Sequence, residues 1–138
     1  MDRAVIEQKI ESLRYCVGRV QQKCPPDAET LARDADAQDI IALNLSRAIQ
    51  HCVDIGAHLI AHSDIPAPET MGQTFDRLHE AGIVPQALAE RLKKAVGFRN
   101  IAVHNYEVIN WEIVHAICTR HLDDFRAFAR IVDQLELQ

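Results

Sequence analysis

The chain is expected to fold as an all-α, up-and-down antiparallel bundle of about five helices, with residues 1–138 forming a single domain. Apolar residues recur at steps of three and four, which lines one face of a helix, rather than alternating as in a half-buried strand. Turn makers are few, five glycines and five prolines in 138 residues, and long helices need few turns. An apolar fraction of 48% beside 25% charged residues suits a folded chain of one-domain size with a real core.

The elements follow in order. Ile6, Ile10, Leu13, Val17 and Val20 make one stripe on a helix over about 3–23. Cys24-Pro25-Pro26 ends it, because a proline pair cannot continue the hydrogen-bond ladder. Asp27 is the expected N-cap of a long second helix reaching about residue 62. Its core face would hold Leu31, Ala35, Ile41, Leu45, Ile49, Cys52, Gly56 and Leu59. Residues 63–68 (Ser-Asp-Ile-Pro-Ala-Pro) read as the clearest loop. A shorter helix over about 69–81 turns Met71, Phe75 and Leu78 inward, and Gly82 stops it. Pro85 suits the first turn of the next helix, which carries Leu88, Leu92, Ala95 and Val96. Asn110 is the expected cap of a last helix whose stripe is Ile113, Ile117, His121, Phe125, Phe128, Val132 and Leu135.

A net charge of −5 argues against coating nucleic acid through bulk electrostatics, although a local basic cleft in a dimer stays compatible with it. Cys16, Cys24, Cys52 and Cys118 show no Cys-x-x-Cys spacing. They read as reduced thiols, three of them core filler, in a cytoplasmic protein. No stretch approaches the roughly 18 apolar residues of a membrane span, so no membrane association is expected.

The chemistry concentrates at Phe98-Arg99-Asn100-Ile101-Ala102-Val103-His104-Asn105-Tyr106. On a helix Asn100 and His104 share a face, and the long Arg99 side chain reaches round toward them. A fixed cation beside a group titrating near neutrality suits phosphate chemistry: one holds negative charge, the other moves protons. Arg99 lies roughly 140° around the helix from His104, so a complete site is expected to need a second protomer.

The series Arg99-Asn100-x-x-x-His104-x-Tyr106 resembles the Arg-x4-His-x-Tyr signature of HEPN-domain toxins of the HepT type. Val96-Gly97-Phe98, Glu107-Val108, the stretch at 41–50, the Ile65-Pro66 loop and Phe75-x-x-Leu78 extend the similarity over nearly the whole chain. The resemblance implies a small helical ribonuclease acting on RNA as a homodimer, without a metal or a cofactor of its own. It implies His104 as general acid or base and Arg99 as the holder of the scissile phosphate, with Asn100 orienting the imidazole or touching the phosphate. It also implies a minimal nucleotidyltransferase antitoxin, MntA, that transfers AMP from ATP to Tyr106. A bulky anionic nucleotide there would compete with RNA phosphate.

Plainer readings stand beside these. His104 and Arg99 would alone read as a helix-end histidine and a surface arginine, and Tyr106 as a loop anchor. The chain would then be a non-catalytic helical module that binds nucleotide or docks a nucleotidyltransferase. His51, Asp54, His58 and His62 fall within roughly 80° of one stripe and are the types that ligate zinc or iron. That stripe lies off the apolar face and no Glu-x-x-His partner completes it, so a polar surface or protomer contact is the expectation, with Asp54 a candidate flank of the cleft. Arg91, Lys93 and Lys94 read as a solvated face able to attract phosphate. Phe98 and Trp111 are expected to pack rather than stack on bases.

Overall fold

The computed structural model describes residues 3–135. Among them run α1 (Arg3–Lys23), α2 (Ala28–Arg33), α3 (Ala35–Ala61), α4 (Gln73–Glu80), α5 (Gln86–His104), α6 (Trp111–Ala116) and α7 (Leu122–Gln134), and no strand. Helix α1 packs chiefly along α3. The α3 helix also meets α4 and α5, α7 closes against α1, α3 and α5, and α2 lies on α6. The expected all-helical bundle is what forms, and the five expected helices become seven because two of them break.

The second helix breaks at Asp34. Its backbone is extended (φ −114°, ψ 93°), its N–H donates to the Leu31 carbonyl, and its carboxylate accepts from Ala37 N–H at 3.0 Å. One aspartate thus ends α2 and caps α3, because a short carboxylate competes for backbone N–H groups that a continuous helix would use. Asp27 caps α2 as expected, accepting from Thr30 N–H at 2.7 Å. The break leaves Ala35 exposed, and Ala37 takes its place in the core.

The last helix breaks at a π-helical turn over Ile117–His121. Its expected core stripe is also rotated in the first half. Val114, Cys118 and Leu122 are buried, whereas Ile113 and His121 are exposed and Ile117 is only partly covered. Repeated steps of four overrun a turn of 3.6 residues, so Ile113 ends roughly 120° from the Phe125 direction. Phe125, Phe128 and Val132 are buried as expected.

Other signals act as read. The α1 stripe is buried throughout. Gly82 takes φ +77°, its N–H bonds to the His79 carbonyl and that of Ile83 to the Leu78 carbonyl. This is a Schellman end, which favours glycine because a side chain there would be strained. Helix α4 begins at Gln73 rather than near 69, since Thr70 and Gln73 side chains close a turn over the preceding residues. Cys16, Cys52 and Cys118 are buried, Cys24 is half-buried, and all four are free thiols. No described helix is long and apolar enough to cross a membrane.

Candidate active site

Helix α5 delivers the motif. Its inner face (Leu88, Ala89, Leu92, Val96) is anchored in the core, so its last two turns project outward with Arg99, Asn100 and His104. Asn105 leaves helical geometry at φ −152°, ψ 59°, its N–H still bonded to the Ile101 carbonyl at 2.8 Å. A 3₁₀ turn over Tyr106–Val108 then carries the chain to Asn110, whose side chain accepts from Glu112 and Ile113 N–H groups to start α6. His104 is thus the last residue of α5, and Tyr106 opens the turn behind it.

The side chains divide into two groups. Half-buried Arg99 donates from Nη1 to Asn100 Oδ1 at 3.3 Å. Asn100 therefore bonds to the guanidinium, where the resemblance implies that it orients the imidazole or touches the phosphate. The His104 side chain is exposed and makes no hydrogen bond or ion pair among the described residues. Tyr106 donates its phenol to Asp39 Oδ1 on α3 at 2.6 Å. Its ring stands edge-on to Trp111, centroids 5.9 Å apart. Burial, then the hydrogen bond to Asp39 and that residue's charge, hold the Tyr106 phenol well above its ordinary pKa. Asp39 escaped the sequence reading, since nothing local links positions 67 apart and only the folded bundle brings them together.

Beside the motif lies an apolar groove of about 700 Å³ between α5 and α6, lined by Phe98, Ile101, Val108, Ile113 and Ile117 with Lys94 at its rim. Ile101, Val108 and Ile113 are among the large apolar side chains this chain leaves exposed. Neither Arg99 nor His104 lines this groove.

Residues 9–132 match the Ribonuclease HepT-like family. The chain belongs to that family. It is 34% identical to the mRNA nuclease HepT of Shewanella oneidensis over 93% of this chain and 96% of the relative. Several solved structures share its backbone, among them two toxin–antitoxin complexes. One is a tri-AMPylated HEPN toxin of Shewanella oneidensis in complex with an MNT antitoxin (TM-score 0.90, 33% identity, 98% of this chain and all of that one). The other is a toxin–antitoxin complex with AMP-PNP (TM-score 0.91, 32% identity, 96% of this chain and all of that one).

The remaining candidates settle differently. Asp54 is held by Lys9 at 3.8 Å and by Gln50 at 2.8 Å. It lies fifteen residues along α3 from Asp39, about 22 Å by helical rise. His62 Nδ1 pairs with the His58 carbonyl at 3.0 Å, and the two rings lie 4.6 Å apart. Among the described residues no group of three His, Cys, Asp or Glu side chains is arranged to hold a metal ion. Lys93 pairs with Asp76 at 3.0 Å and Arg91 with Asp124 at 2.9 Å, so two of the three basic residues before the motif have carboxylate partners. Phe98 and Trp111 pack against the core.

Proposed function

We propose that this chain is the toxin of a toxin–antitoxin pair, a homodimeric ribonuclease that cleaves RNA with Arg99 and His104. It is silenced when an MntA-like minimal nucleotidyltransferase transfers AMP from ATP to Tyr106. The observation that carries this reading is the motif's arrangement in a chain 34% identical to an mRNA nuclease along nearly its full length. A guanidinium and an unengaged imidazole project from one rigid helix end, with a tyrosine on the turn behind them.

Phosphodiester cleavage needs a base for the attacking hydroxyl, an acid for the leaving oxygen, and charge stabilisation at phosphorus. An imidazole without a protein partner is free to accept or donate that proton. The Arg99 fork matches phosphate oxygens, and its bond to Asn100 fixes its direction. Proton transfer and charge stabilisation thus both come from side chains, and the scheme calls for no metal.

Arg99 and His104 sit roughly 140° apart around α5 of one protomer. A two-fold contact through the exposed apolar face of α5 and α6 would bury Ile101, Val108 and Ile113 and bring two copies of the motif to one cleft. The paired copies supply both an acid and a base. RNA is the substrate, and the toxin acts in the cytoplasm.

The test compares RNA cleavage by the purified chain before and after incubation with an MntA-like nucleotidyltransferase and ATP. The parent should cut RNA, and after treatment it should carry AMP mass on Tyr106 and lose activity. Tyr106→Phe should stay active throughout. A parent that never cuts RNA, or that is silenced without modification of Tyr106, contradicts the proposal.

A further inference from the structure

Tyr106 has a carboxylate where an attacking phenol needs one. Its hydroxyl donates to Asp39 Oδ1 at 2.6 Å, the length of a charge-assisted O–H···O⁻ bond. Asp39 is exposed on α3 and forms no ion pair among the described residues, so no cation competes for its charge. The Tyr106 ring stands edge-on to Trp111, and the residue as a whole remains 37% exposed. The contact crosses from the turn after α5 to the first turns of α3, and it is fixed by the bundle.

Resting on the reading of Tyr106 as AMP acceptor, we propose that Asp39 is the general base of that modification, so that the toxin supplies part of the catalytic machinery of its own silencing. As Tyr106 Oη attacks the α-phosphorus of ATP, the Oη–Pα bond forms and the bond from Pα to the β-phosphate oxygen breaks. Pyrophosphate leaves with the bonding pair, and the phenolic proton passes to Asp39 Oδ1. A base is needed because the phenol is firmly protonated at neutral pH, its ionisation opposed by burial and by Asp39 itself. A neutral phenol is a weak nucleophile, and a base already hydrogen-bonded to it meets the geometric requirement for proton transfer.

The experiment measures the initial rate of AMP addition by intact-protein mass spectrometry, using an MntA-like nucleotidyltransferase and Mg-ATP, from pH 6.5 to 9. Asp39→Asn keeps shape and removes the base. Its rate should fall about 100-fold at pH 7, and recover by about tenfold per pH unit as phenolate replaces assisted attack. Asp39→Glu, which restores a carboxylate, should regain most of the rate. Tyr106→Phe should take no AMP. If Asp39→Asn is modified at the parent rate with the parent pH profile, the base assignment is overturned while Tyr106 stands. A slow Asp39→Asn that Asp39→Glu does not rescue and whose pH profile matches the parent makes Asp39 a mere anchor, which also overturns it. If the parent takes no AMP, or Tyr106→Phe still does, the acceptor assignment itself fails and this proposal with it. Circular dichroism of each variant confirms that rates are compared between folded proteins.

Discussion

Gly56→Ala tests the packing of α3 on α4. A Cβ built at Gly56 would meet Thr74 Cγ2 at 2.6 Å and Leu78 Cδ1 at 3.1 Å. In an exposed helix interior, glycine to alanine stabilises by about 1 kcal/mol. Here Thr74 is buried, and its β-branched side chain lies near the start of a helix with little freedom at χ1. Overpacking a fixed neighbour costs about 1–3 kcal/mol, so the net effect is a loss of about 1 kcal/mol. At this chain length that lowers the Tm by roughly 3–5 °C. The assay is thermal unfolding at one protein concentration, which holds any contribution of association constant. Thr74→Ser removes the obstructing methyl, so Gly56→Ala should cost about 1–2 kcal/mol less in that background, a coupling typical of residues in contact. A rise in Tm for Gly56→Ala alone, or strict additivity with Thr74→Ser, would refute the close approach.

Two further outcomes follow from the surface. Ile113→Lys places a charge on the exposed apolar face of α6, so it should break the proposed dimer into monomers in sedimentation or light scattering and lower RNA cleavage at least tenfold. A variant that stays dimeric and active locates the contact elsewhere. Stability should also respond to acid through His51. Burial, then the charges of Lys9 and Arg47, depress its pKa against the opposing pull of Asp54. The folded state therefore favours the neutral ring, and the unfolded chain takes up its proton first as pH falls below about 6.5. Stability from this group is present above that pH and declines beneath it. His51→Gln should show a smaller drop in Tm between pH 7 and pH 5 than the parent, and an equal drop would exclude His51.

Much of the fold was legible because it rests on local rules. The stripe of α1, the Pro25-Pro26 stop, the Asp27 and Asn110 caps and the Gly82 end are all decided by residues a few positions apart. The break at Asp34 was less visible, since an aspartate inside an apolar-periodic run reads equally as a surface position. The rotation of Ile113 and Ile117 out of the core escaped because steps of four mimic a stripe over two turns and drift from it over three. At the site, the motif residues were legible as chemistry, but their partners were not. Asn100 bonds to Arg99 rather than His104, and Asp39 reaches Tyr106 only through the packing of α3 beside the α5–α6 turn.

The account rests on Arg99 and His104 as the groups that cut RNA. The most direct measurement is single-turnover cleavage of one labelled RNA by purified parent, Arg99→Ala and His104→Ala proteins, each confirmed as folded and in the parent's oligomeric state. Loss of a positioned acid or base slows a reaction by about 100- to 10,000-fold, and loss of a charge-stabilising donor by about 100- to 1,000-fold. The expected result is a loss within these ranges for each variant. Cleavage by both variants at the parent rate would contradict the assignment and place the chemistry elsewhere on the chain.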